Sequence, residues 1–174
     1  MNPAAMIDRL ERFADVLPAT IAMVDEADAR WKPASGNWSI LEIVRHLGDE
    51  EREDFRMRLG LTLQGAAEWP KIDPPGWAVE RKYNEADLGA AVATFIRERR
   101  ASVEWLRGLG DPAAIDWNAA YQHPKFGPIH AGVLLGSWAA HDALHLRQIA
   151  KRLFELAGRD AAPHTTIYAG EWTA

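Results

Sequence analysis

The chain has no cysteine, which excludes disulfides, thiolate metal ligands, thioredoxin-type redox motifs and a cysteine nucleophile. Any chemistry carried by its side chains therefore uses nitrogen and oxygen donors. Sustained alternation of apolar and polar residues is also missing, and β-branched residues are scattered, so strands are not expected to carry the fold. No apolar run is long enough for a membrane span or a signal peptide, which leaves the cytoplasm as the expected location and gives no reason to expect a membrane partner. Basic residues are in deficit, with 20 Lys and Arg against 25 Asp and Glu and a formal net charge of -5. Nucleic acid is not an expected partner, because affinity for phosphate backbones comes mainly from basic side chains.

What is present fits one folded domain, with 174 residues of which 48% are hydrophobic, and neither repeats nor a linker divide it. Eight Trp outnumber three Tyr and five Phe, which points to large amphipathic walls that mostly serve packing. Over residues 4–29, Ile7, Leu10, Phe13, Ala14, Leu17, Ile21 and Val24 recur at three- and four-residue steps, the mark of one buried helix face. Pro18 is a place for a kink. Ser39 followed by Glu42 reads as a capping box opening a second helix, which runs to about Leu63. The Pro- and Gly-marked stretch 64–82 suits a crossover between bundle ends. A third helix is expected over 85–109 with Asn84 as cap and Gly110 as stop, and a fourth from Pro128 to Ala157. These segments predict an all-α four-helix bundle with a long crossover over about residues 4–157, followed by a tail, 158–174, in which Thr165 to Tyr168 has an extended pattern.

The chemistry gathers on the fourth helix. His141 and His145 are four residues apart, so they project from one face about 6 Å apart along the axis. Leu134, Trp138, His141, His145, Gln148 and Arg152 alternate four- and three-residue steps, a stripe that faces a bundle interior. Two readings compete for the pair: histidines individually satisfied by carbonyls or carboxylates, or two ligands of one metal ion. His46, about two turns inside the second helix, shares a side with Ile43, Glu50 and Met57 and can also face inward. Together, His46, His141 and His145 supply three neutral nitrogen donors and leave a coordination position open, as a catalytic divalent-metal site requires.

These residues carry a resemblance. Trp38-Ser39 followed by His46-Leu47-Gly48-Asp49-Glu50, a His123-Pro124-x-Phe126-Gly127 connection, and His141-Asp142-x-x-His145-x-x-Gln148-Ile149 resemble the DinB/YfiT-like family of metalloenzymes over roughly residues 5–157. The resemblance implies a four-helix bundle, a divalent metal such as zinc or nickel held by His46, His141 and His145, and a homodimer. It further implies thiol-dependent transfer or isomerisation with a small-molecule substrate, in which the metal activates a low-molecular-weight thiol such as bacillithiol or mycothiol. A cation held by three neutral imidazoles keeps its positive charge and so lowers the pKa of a water or thiol bound to it. Glu50 is the most reachable base on the second helix, Asp142 can orient an imidazole or stay outside the pocket, and Gln148 can bind substrate; for each, an ordinary solvated, helix-pairing or backbone-satisfied role is the competing account.

Other readings remain open. His141-Asp142-x-x-His145 differs from the zincin motif by one methylene, so a metal-dependent hydrolase is an alternative, although Lys151 stands where a metzincin has its third histidine. A di-iron bundle wants a Glu-x-x-His on two helices and finds no such pair here. A non-catalytic module, in which the metal pins two helices and Asp49 or Glu50 closes the site, is the third possibility. His123, His130 and His164 are not expected to be ligands.

Overall fold

The protein is described by a computed structural model over residues 1–173. Asn2 caps helix α1 (Pro3–Ile21), its Oδ1 accepting from the Ala5 N–H at 3.1 Å, and Pro3 occupies the first turn, where its missing N–H is not needed. Pro18 lies inside α1 without ending it, and the Ala22 N–H donates to the Pro18 carbonyl at 3.0 Å. The helix expected over 4–29 is nevertheless two. Asp25 accepts from the Asp28 N–H at 2.9 Å and starts α2 (Glu26–Arg30), because an Asp offers the backbone a cap more readily than it continues a helix.

Ser39 opens α3 (Ile40–Glu50) with both halves of the capping box: the Glu42 N–H donates to Ser39 Oγ at 3.1 Å and the Ser39 N–H to Glu42 Oε2 at 2.8 Å. A π turn, Glu51–Phe55, joins α3 to α4 (Arg56–Leu63). The wider turn shifts the helical phase. Met57, expected on the inward side with His46 and Glu50, is 38% exposed, and Phe55 and Leu59 are buried instead.

The 64–82 crossover holds a helix that its prolines concealed, α5 (Pro74–Glu80), with Pro74 in the first turn and Asp73 capping the Gly76 N–H at 3.1 Å. The third long helix, α6 (Leu88–Gly108), starts later than expected and takes Asp87 as its cap, accepting from the Ala90 N–H at 2.7 Å. Asn84 is otherwise engaged: its Oδ1 accepts from Ser39 Oγ at 2.6 Å and its amide donates to the Arg30 carbonyl at 3.1 Å. Gly110, at φ +102°, follows the end of α6 in a conformation that favours glycine.

Strands β1 (Ala120–His123) and β2 (Gly127–His130) form an antiparallel hairpin, each too short to show alternation in the sequence. Pro128 therefore sits in β2 opposite Gln122, and the last helix, α7 (Ala131–Asp160), begins three residues later and runs past Gly158. Ile167–Ala169 is a 3-10 turn where an extended segment was expected.

α3 and α1 each pack against both α6 and α7, giving a cyclic order α1, α6, α3–α4, α7 around a four-helix bundle. This order makes α3 and α7 neighbours although about 80 residues separate them in the chain. One apolar layer contains Phe13, Leu17, Leu47, Phe95 and Ile149, and a second contains Leu10, Phe55, Leu59, Val103, Leu135 and Trp138. Between them, on α3, the π turn, α6 and α7, lies a buried polar belt: His46, Glu50, Glu51, Arg99, Asp142 and His145.

Because Ser39 sets the start and angle of the helix that carries His46, Ser39→Ala should cost about 1–2 kcal/mol. Urea denaturation checks this as a lowered midpoint with unchanged slope; an unchanged midpoint would show that the box does not hold α3.

Candidate metal centre

α3 brings His46 and α7 brings His141 and His145 to one point in the belt. Nε2 of His145 lies 2.9 Å from Nε2 of His141 and 3.1 Å from Nε2 of His46, and the three donor atoms all lie within 4.8 Å of one another. Nitrogens held by one ion at about 2.0–2.1 Å in a tetrahedral array stand about 3.3 Å apart, so the spacing suits a single small cation. Protons explain the cluster poorly. Nδ1 of His145 is 2.9 Å from Gln148 Oε1, which makes Nδ1 the protonated nitrogen and leaves Nε2 one in-plane lone pair facing two other imidazoles. His46 Nδ1 is buried without a hydrogen-bond partner among the described residues. A cation at the convergence satisfies all three Nε2 lone pairs at once.

The electrostatics favour neutral imidazoles. Burial, followed by repulsion from His145, lowers His46 from 6.5 to about 3. Burial, then His145, His46 and Arg99, lowers His141 to about 2, and burial lowers His145 to about 4 against the bond to Gln148. Deprotonated imidazole is the ligand form, so these shifts keep the donors ready for a metal.

Glu50, one turn beyond His46, places Oε2 3.3 Å from His141 Nε2 and Oε1 3.8 Å from His46 Nδ1. Burial, assisted by Asp54 and opposed by Arg58, pushes its carboxyl up to about 8. Gln148 orients His145 at its outer nitrogen, the usual place for a group that fixes a metal ligand's tautomer. Trp38 packs on the His46 ring at 4.8 Å between centroids, and Phe55 meets His141 edge-on at 5.0 Å.

Asp142 takes another position. Its two oxygens accept from Nη1 and Nη2 of Arg99, each at 2.7 Å, and Arg99 also donates to Glu51 Oε1 at 2.9 and 2.6 Å and to the Leu10 carbonyl at 3.0 Å. Trp138 Nε1 completes the network with a 2.7 Å bond to Glu51 Oε1. Burial holds Asp142 up at about 6 against the pull of Arg99. Asp142 is thus a clamp on α7 that faces Arg99. Arg99 and Glu51 went unnoticed in the sequence because both sit in runs of charge that read as solvated; a long helix with buried neighbours Phe95 and Val103 one turn to either side of Arg99 was the available signal. Asp49 is also buried, receiving Tyr83 Oη at 2.6 Å and Arg81 Nη1 at 2.7 Å.

The remaining histidines lie elsewhere. His123 Nδ1 accepts from the Lys125 and Phe126 N–H groups in the hairpin turn, His130 Nδ1 is 2.8 Å from the Asn118 carbonyl, and His164 is exposed.

These shifts set a pH dependence for the metal-free protein. Between pH 6.5 and about 4 the unfolded chain protonates three histidines that the folded chain keeps neutral, so acid lowers stability. Glu50 and Asp142, raised from 4.5 to about 8 and from 3.8 to about 6, act oppositely: their stabilising contribution is present at low pH and is lost as pH rises through those values. Three imidazoles outweigh two carboxyls in the acid range and Glu50 acts alone near neutrality. Metal-free protein should therefore be most stable at about pH 6–7. Chemical denaturation across the range checks this, and a stability that changes in one direction only would contradict it.

A relative from Oceanobacillus iheyensis, provisionally named a metal-dependent hydrolase, is 24% identical over 145 residues, covering 82% of this chain and 81% of its own. YfiT from Bacillus subtilis, described as a probable metal-dependent hydrolase with an unusual four-helix bundle topology, superimposes with a TM-score of 0.76 at 19% identity over 89% of this chain and 87% of that one, a likeness of fold. The sequence pattern of the DinB superfamily matches residues 9–149, far more than half of the chain and all three histidines of the centre. The chain belongs to the DinB superfamily.

Proposed function

We propose that this protein is a metal-dependent enzyme that activates a small nucleophile at a divalent cation held by His46, His141 and His145. The observation that carries the reading is the convergence of three Nε2 atoms, two of the separations being 2.9 and 3.1 Å, between helices where His46 and His145 are buried and His141 is half-buried. A divalent cation with three neutral nitrogen ligands supplies Lewis acidity, lowering the pKa of a water or thiol bound to it.

The protein's own residues do the rest. Glu50 Oε2, beside His141 Nε2 at 3.3 Å, accepts the nucleophile's proton and can return it to the leaving group, the two roles of a carboxyl poised near neutral pH. Gln148 keeps His145 in the tautomer whose Nε2 lone pair faces the centre. Trp38 packs on the His46 ring and Phe55 on the His141 ring, which fixes the orientation of both imidazoles. Arg99, Glu51 and Asp142 hold α3 and α7 at the spacing that brings the imidazoles together.

Two nucleophiles fit. An external low-molecular-weight thiol, giving transfer or isomerisation of a small electrophile, is supported by the family resemblance and by the absence of any protein cysteine. Water, giving hydrolysis, is supported by the place of Glu50 and by the names of the relatives.

Zinc- and nickel-loaded protein assayed against electrophiles with and without 2-mercaptoethanol, and in parallel against esters and amides, separates them. Turnover in one panel is expected, falling by about 100-fold or more in Glu50→Gln with metal content unchanged. No turnover in either panel, with Glu50→Gln losing metal and thermal stability, would instead mark a closed structural site.

A further inference from the structure

A cavity of about 620 Å³ lies next to the centre, sharing Gln148 with the shell of His145 and Trp38 with that of His46. Its volume is that of a small-molecule site. Its charge is opposite to that of the chain: Arg147, Lys151 and Arg152 line it and, among the described residues, no carboxylate does, although the protein carries 25 acidic and 20 basic residues. Among the described residues Arg147 and Lys151 form no ion pair, whereas most other arginines on the surface are paired.

Arg152 is the second observation. It is only 4% exposed, and its Nε and Nη1 are buried without a hydrogen-bond partner among the described residues. Glu155 Oε2 is 3.0 Å from Nη1 but is not aligned to accept from it, and it too lacks a hydrogen bond. A buried guanidinium with unused donors is costly unless something else receives them. Its position on α7 is also telling: His145, Gln148 and Arg152 follow one stripe, so Arg152 stands about 10 Å along the helix from His145.

We propose that this cavity is an anion subsite, in which Arg152, with Arg147 and Lys151 at the rim, holds the carboxylate, sulfonate or phosphate of a small organic acid. The apolar body of that acid lies against Trp38, and its reacting end reaches the three histidines. The substrate of this protein is accordingly an amphipathic organic anion whose charged group is about 10 Å, two helical turns, from the bond that reacts. The three cations contribute recognition in two ways: the rim pair steers an anion into a cleft of an otherwise acidic protein, and Arg152 supplies charge-assisted hydrogen bonds where water is scarce. This inference names the substrate class for the metal-dependent reading and rests on it for the identity of the reacting end.

Isothermal titration with 2-naphthoate and its neutral isostere 2-naphthamide tests the subsite without any reaction. Metal-loaded protein should bind the naphthoate at least about tenfold more tightly, with an affinity that falls as salt is raised. The double substitution Arg147→Gln/Lys151→Gln, at one exposed and one half-buried side chain that form no ion pair among the described residues, should weaken the salt dependence while the protein stays folded. Arg152→Gln should abolish the preference for the anion, and Arg152→Lys should restore part of it. Equal binding of the two probes, or naphthoate binding unchanged in the double variant and in folded Arg152→Gln, would overturn the subsite and leave the metal-dependent reading intact. If instead no metal binds while the anion preference persists in the same protein, the metal-dependent reading fails and the subsite stands.

Discussion

The Arg99 guanidinium is the contact on which the bundle and its site both depend. It is fully buried on α6 and reaches the π turn through Glu51, α7 through Asp142 and α1 through the Leu10 carbonyl. One side chain thereby joins all four long helices. Its two carboxylate partners are the immediate sequence neighbours of Glu50 and His141, so the network that fixes the helices also fixes the candidate metal centre. A buried ion pair of this kind adds little net stability over an apolar packing, but removing one partner leaves an uncompensated charge and costs about 3–5 kcal/mol. Its effect here is positional: α3 and α7 are held in one register, and the three imidazole nitrogens meet.

The π turn is the backbone counterpart of that constraint. An unbroken α-helix through Glu51–Phe55 would turn Met57 inward and carry Phe55 off the core face. With the wider turn, three successive acids, Asp49, Glu50 and Glu51, are all buried, each toward a different partner: Arg81 and Tyr83, the histidines, and Arg99 with Trp138. Three neighbouring carboxyl groups at the junction of α3 and the π turn thus meet three different sets of partners.

Much of this was legible in the residues alone. The three- and four-residue steps of α1, the Ser39–Glu42 box and the His141/His145 spacing are local features, and local features are what a sequence displays. His46 could be linked to the pair because the interior of a bundle brings inward stripes together. What stayed hidden depends on tertiary partners. Asp25 broke the expected first helix by capping the Asp28 N–H, and Asp87 took the cap of α6 because Asn84 was drawn to Ser39 and Arg30. The hairpin strands are four residues each, below the length at which alternation shows, and the π turn has no composition of its own. Arg99 and Glu51 looked like solvated charges until each had the other. The missing cysteines, which at first only excluded chemistry, agree with a centre built from three neutral nitrogens: the metal would keep its charge, and any sulfur in the reaction would arrive with the substrate.

The most direct measurement is metal stoichiometry joined to X-ray absorption at the metal edge, on protein purified without a histidine tag and on His46→Ala, His141→Ala and His145→Ala. The account predicts about one divalent ion per chain, three imidazole nitrogens at about 2.0–2.1 Å, and loss of binding in each variant that remains folded. A stoichiometry near zero, or metal retained equally in all three variants, would contradict it.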